Sequence, residues 1–165
     1  MRFVKLIDSI NEFVQRVFSP VVLVIMGVAF YEVFRRYVMR NPTIWAWEIN
    51  SQLMAFMGAL AGGYTLLRKG HVSVDIVTSR LSHRTRAVID IITFPLFVIV
   101  TCALVWYGAK DAMIAFVTHK KVISQFNSYL WPIKTVIPIG AALVFLQGVA
   151  KLIRDIRIVQ GKGGD

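Results

Sequence analysis

The sequence predicts an all-α membrane protein: four transmembrane helices preceded by an amphipathic interfacial helix, with both termini cytoplasmic. Three observations predict this. Hydrophobic residues fill 56% of the 165 positions and charged residues only 17%, whereas a soluble domain carries about 25% charged residues. The mean hydropathy is +0.62. The apolar residues also gather in four blocks, each near the ~20 residues that a helix rising 1.5 Å per residue needs to cross about 30 Å of hydrocarbon. A sheet open to lipid would leave its edge amides unsatisfied, and the blocks lack the two-residue alternation of a barrel.

The chain reads as one membrane domain over residues 1–165. In residues 1–17, Phe3, Leu6, Ile7, Ile10, Phe13, Val14 and Val17 recur at three- and four-residue steps. Lys5, Asp8, Glu12 and Arg16 fill the other positions. This amphipathic helix is expected in the membrane interface or against a neighbour, before Pro20 starts the first span. Mixed charges and the absence of a small-residue cleavage site argue against a removable signal.

The spans are expected at about 18–34, 44–67, 88–107 and 131–150, forming a four-helix bundle, with 151–165 a basic cytoplasmic tail. Their few charges sit near the ends. Glu32 precedes Arg35 and Arg36 by three and four residues, and Asp90 follows Arg86 by four, spacings that let each acid pair locally on a helix. Glu48 falls in a first turn, where the macrodipole favours an anion. In the second span Gly58 and Gly62 form a GxxxG, and Ala55, Ala59 and Gly63 make a parallel row. Such rows let another helix approach closely, either within the bundle or from a separate subunit.

Basic residues set the orientation. The amino terminus, the 68–87 connector and the tail hold twelve Lys or Arg, and the opposite loops hold seven. Positive charge favours the cytoplasm, which places both termini inside. Trp45, Trp47, Trp106 and Trp131 then fall at span ends on the outer face, where indoles sit at headgroup level. The formal charge of +10 is accounted for by cytoplasmic and lipid-facing Lys and Arg, without nucleic acid.

Sequence chemistry points away from catalysis. No triad, phosphate-gripping glycine loop or metal motif occurs, so no enzyme activity and no cofactor are expected in this chain. His71, His83 and His119 lie in connectors, not facing one another from mid-span as a membrane haem needs. The single cysteine, Cys102, excludes an intramolecular disulfide and reads as inert packing.

From Phe34 to Asp75 the chain reads FRRYVMRNPTIWAWE, then an apolar span rich in small residues, then GGYTLLRKGHVSVD. This resembles the DctQ family, the small membrane subunit of tripartite ATP-independent periplasmic (TRAP) transporters. PIGAAL at 138–143 is similar to that family's fourth span. The chain departs from the family in having the single acid Glu48 after Trp47, where two consecutive acids are common.

The resemblance implies a sodium-coupled importer of a small organic anion, a carboxylate or sulfonate. Its large DctM-type membrane subunit would carry the substrate and sodium sites and move as an elevator. A periplasmic binding protein would capture substrate, and the present subunit would brace the fixed scaffold in the bacterial inner membrane.

By position, Arg36, Tyr37, Pro42, Trp45 and Glu48 form the outer motif, and Arg68, Gly70, His71, Val72, Val74 and Asp75 the inner one. Arg36 and Glu48 are expected to lie together. Lys120 and Lys121, in the 108–130 outer segment, are candidate contacts for either the binding protein or lipid headgroups. The main rival is an autonomous four-span, proton-coupled exporter of the small multidrug type, in which an embedded acid such as Glu32 exchanges protons for cationic drugs. A second rival is a scaffold for a membrane enzyme complex.

Overall fold

A computed structural model describes residues 2–68, 83–124 and 126–160. Among them the apolar blocks are helical: α1 (Arg2–Phe18), α2 (Val21–Tyr37), α3 (Ala46–Leu67), α4 (His83–Val117) and α5 (Trp131–Val159). The described residues contain no strand beyond an isolated antiparallel bridge between Lys121 and Tyr129. The inner connector around 69–82 and the tail from 161 lie outside the described residues, and with them Gly70, His71, Val72, Val74 and Asp75 of the inner motif.

Proline and polar residues set the breaks. Pro20 has no amide hydrogen and its ring crowds the preceding turn, so α1 ends at Phe18. The interruption is short: Val22 N donates to Ser19 O at 3.2 Å and Leu23 N to Pro20 O at 3.0 Å, and the chain resumes as α2. α4 and α5 run beyond their expected ends. Hydropathy drops at Gly108–Asp111, yet no proline follows until Pro132, and α4 continues to Val117, ending where His119 takes a positive φ of 47°. Ala112 and Ala115 are buried there, and Asp111 pairs with Lys134 Nζ at 2.6 Å. The expected outer connector is therefore helical over nearly its first half, 108–117. Similarly, the tail is helical to Val159 because Lys151 and Arg154 find acids on α4 and α1.

Three stretches are long and apolar enough to cross a membrane: Val4–Tyr37, Ala87–Val117 and Trp131–Val159. Their apolar faces make this a multi-pass membrane protein. α3 spans 22 residues, about 33 Å at 1.5 Å per residue, but Glu48, Asn50, Ser51 and Gln52 dilute its first turns.

The four long helices stand in a row in the order α2, α3, α5, α4. Extensive contacts run from α2 to α3, α3 to α5 and α5 to α4, with α1 laid across α3 and α5. α5 is the central stave. A third of its most apolar stretch is buried, against 6% for that of α4 and none for the stretch containing α2. Small residues permit this. Gly140 lies directly against the Ala59 backbone of α3, Gly148 lies under the Phe97 ring of α4, and Pro138 seats on Gly108. The outer helices keep apolar surface open: Leu23, Met26 and Phe30 of α2 and Ile92, Leu96 and Trp106 of α4 are exposed. Cys102 is exposed on this surface too, rather than packed inside.

Candidate functional site

Three polar constructions hold this layer at its ends. The first pins the loop between α2 and α3. Glu32 Oε1 accepts from Arg36 Nη2 at 2.6 Å and Nε at 3.0 Å, as i,i+4 spacing anticipates. Its other oxygen accepts the Thr43 amide at 3.0 Å and the Thr43 hydroxyl. Trp45 stacks on Tyr31 with centroids 6.0 Å apart. Tyr37 is exposed, and Pro42 lies in the exposed loop.

The second construction, at what the sequence reading makes the outer end, is a knot around Glu48. Its carboxylate, 7% exposed, accepts the hydroxyls of Ser124 and Ser128 and the Ser128 amide at 3.3 Å. Gln52 Nε2 donates to Ser128 Oγ at 2.6 Å. These bonds fold the connector between α4 and α5 down onto the start of α3. No ion pair joins Arg36 to Glu48 among the described residues: Arg36 is bonded to Glu32 of its own helix, and Glu48 to Ser124 and Ser128 of the connector. Lys121 Nζ lies 5.0 Å from the Tyr129 ring centroid in this connector, and Lys120 is exposed.

The assignment makes two predictions. Glu48→Ala is expected to release the connector, so that a cysteine at the half-buried Val122 reacts several-fold faster with an impermeant maleimide; unchanged labelling would refute the knot. A double charge reversal of Arg36 and Glu48 is expected to be as damaging as the two single reversals combined. Recovery of protein yield in the double variant would restore the paired reading.

The third construction ties α1 to the inner end. Asp8 accepts Arg154 Nη2 at 2.6 Å and Gln147 Nε2 at 2.9 Å, while Asn11 Nδ2 donates to Gln147 Oε1 at 2.9 Å and to Ile7 O at 3.1 Å. Asn11 and Gln147 are the largest fully buried side chains described. Gly63 makes room for Asn11, since a Cβ there would overlap the Asn11 carboxamide oxygen. Arg68, just past α3, approaches Glu12 at 3.8 Å and lies 5.4 Å from the Tyr64 ring centroid. α1 is thus docked on α3 and α5, one of the two placements its pattern allowed. Leu6, Ile10, Phe13 and Val17 nevertheless form an exposed apolar stripe on its free side.

The glycine motif divides. Gly62 faces Val144 Cγ2, 2.8 Å from where a Cβ would stand, and Gly63 faces Asn11 and the Leu143 backbone. Gly58 has open space around it. Asp90 pairs with Lys151 Nζ of α5 at 2.7 Å; the side chain of Arg86, its expected partner, lies outside the described residues. Sequence reasoning missed Asn11, Gln147, Ser124 and Ser128. The available signal was Gln147, a lone amide in an apolar block, where an unpartnered polar group is costly.

The family model for the DctQ component of tripartite ATP-independent periplasmic transporters matches residues 25–158. The chain belongs to the DctQ family. The match takes in all of α3 and α4 and most of α2 and α5, and leaves out α1 and the first turn of α2. This DctQ chain is accordingly a transporter component and not an enzyme. No curated protein matches the chain.

Proposed function

We propose that this DctQ chain is the stationary brace of a sodium-coupled, binding-protein-dependent importer of a small organic anion. It crosses the inner membrane four times, with both termini in the cytoplasm. The family match over residues 25–158 carries this reading. The layered fold supports it physically. An elevator needs a part that stays fixed, and a row of helices with open apolar flanks has broad surface for a large DctM-type subunit and for lipid. Sodium and substrate then belong to that partner, and a periplasmic binding protein delivers the anion. The polar loops at the outer ends of the staves, with Lys120 and Lys121, face that delivery side. The proton-exchanger alternative is disfavoured because Glu32 is already engaged by Arg36 and Thr43.

Reconstitution tests the proposal. Vesicles containing the chain, its large partner and the binding protein are expected to take up a carboxylate or sulfonate only with an inward sodium gradient, and vesicles with the chain alone to take up none. Full-rate transport by the chain alone would overturn it.

A further inference from the structure

Beside the outer knot lies an open groove of about 730 Å³, between the first turns of α3, the start of α5 and the connector. Trp47, Ser51, Lys121, Ile123, Leu130 and Ile133 line it. Trp47 is 80% exposed and Ile123 fully so.

The depth of this groove follows from two ion pairs between α4 and α5. Asp90–Lys151 closes the inner end and Asp111–Lys134 the outer end. Neither helix carries a charge over 91–109 or 135–150. The two aspartates are twenty-one residues apart, about 32 Å along a helix, which matches the ~30 Å of hydrocarbon. Lys134 therefore marks the outer hydrocarbon boundary, and Ile133 and Leu130 sit beside it. Lys121, bridged to Tyr129 ahead of the α5 start, lies farther out, at headgroup level.

The groove thus has apolar walls at the boundary and a cation just above it. The Glu48 carboxylate, which also borders it, is engaged by Ser124 and Ser128. Lys121 contacts the Tyr129 ring, and no carboxylate pairs with it among the described residues. An acyl chain fits the apolar walls and a phosphate complements Lys121. We propose that this groove is a specific phospholipid site, with the phosphate at Lys121 and an acyl chain along Trp47, Leu130 and Ile133. The inference rests on the chain crossing the bilayer and not on its role in transport, so its failure leaves the transporter reading untouched.

Titration of the delipidated full chain in neutral detergent with dioleoylphosphatidylglycerol, read by native mass spectrometry, tests the site. One tightly held lipid is expected, with affinity lowered about fivefold by Lys121→Gln and unchanged by Lys120→Gln, whose side chain does not line the groove. Trp47→Ala should also weaken binding while leaving helicity intact. Glycerol phosphate, which lacks acyl chains, should not displace the lipid. Equal losses in the two lysine variants, or displacement by glycerol phosphate, would overturn the proposal. Lipid binding unchanged by Lys121→Gln, with co-purification of an outer protein partner lost instead, would overturn it in favour of a protein occupant.

Discussion

Replacing Gly140 by alanine is expected to separate α3 from α5 and cause the largest stability loss of any single methyl addition in this chain. The new Cβ would overlap the Ala59 carbonyl oxygen and crowd its carbonyl and α carbons, all of them backbone atoms that no rotamer change can move. Overpacking of this kind costs typically 1–3 kcal/mol, and the upper end, about 3 kcal/mol, is expected where the obstacle is backbone. Gly58→Ala is the matched control. It adds the same methyl to the neighbouring helix, where nothing lies within 4 Å, and should stay within about 0.5 kcal/mol of the parent. Denaturant titration in detergent micelles measures both. If Gly140→Ala proved as stable as Gly58→Ala, the α3–α5 contact described above would be wrong.

The second large effect concerns the tie between α1 and α5. Asn11 and Gln147 are 1% and 0% exposed and bonded to each other, so truncating either strands the other's amide away from water. A buried group left unsatisfied costs about 1–3 kcal/mol, whereas replacing both partners with apolar residues of similar shape is often close to neutral. Asn11→Ala and Gln147→Ala are each expected to lower stability by about that amount. Each should also expose α1 to proteolysis at Arg16. The double variant Asn11→Leu, Gln147→Leu should recover most of the stability. Additive losses in the double variant would show that the two amides act independently.

Much of this architecture was legible because hydropathy belongs to each residue singly. Four apolar blocks gave four helices, and Glu32–Arg36 followed from helical spacing alone. Helix ends were less legible. Outside hydrocarbon a helix continues until a breaker stops it, so the polar residues at 108–111 marked the edge of an apolar run and not the end of α4.

Long-range pairing was not legible at all. Glu48 meets hydroxyls 76 and 80 residues further on, and Asn11 meets an amide 136 residues away. Lys151, which α5 brings to Asp90, lies sixty-one residues further on. The small-residue signal named the right helix and left its facing ambiguous. The Ala59–Gly63 row packs on α5 while Gly58, from the better-known motif, faces outward. Packing direction depends on a neighbour that the motif does not contain.

Away from the strip that α1 covers, a palisade one helix thick has no interior in the usual sense. Each stave beyond the central one keeps a long flank bare, and the assembly is stiff along its own plane but yields across it, as a plank does. Its rigidity in the cross-plane direction must come from whatever is fastened along a broad side. Substitutions on those bare flanks should therefore leave the isolated chain folded and show their effect only once the neighbouring structure is in place.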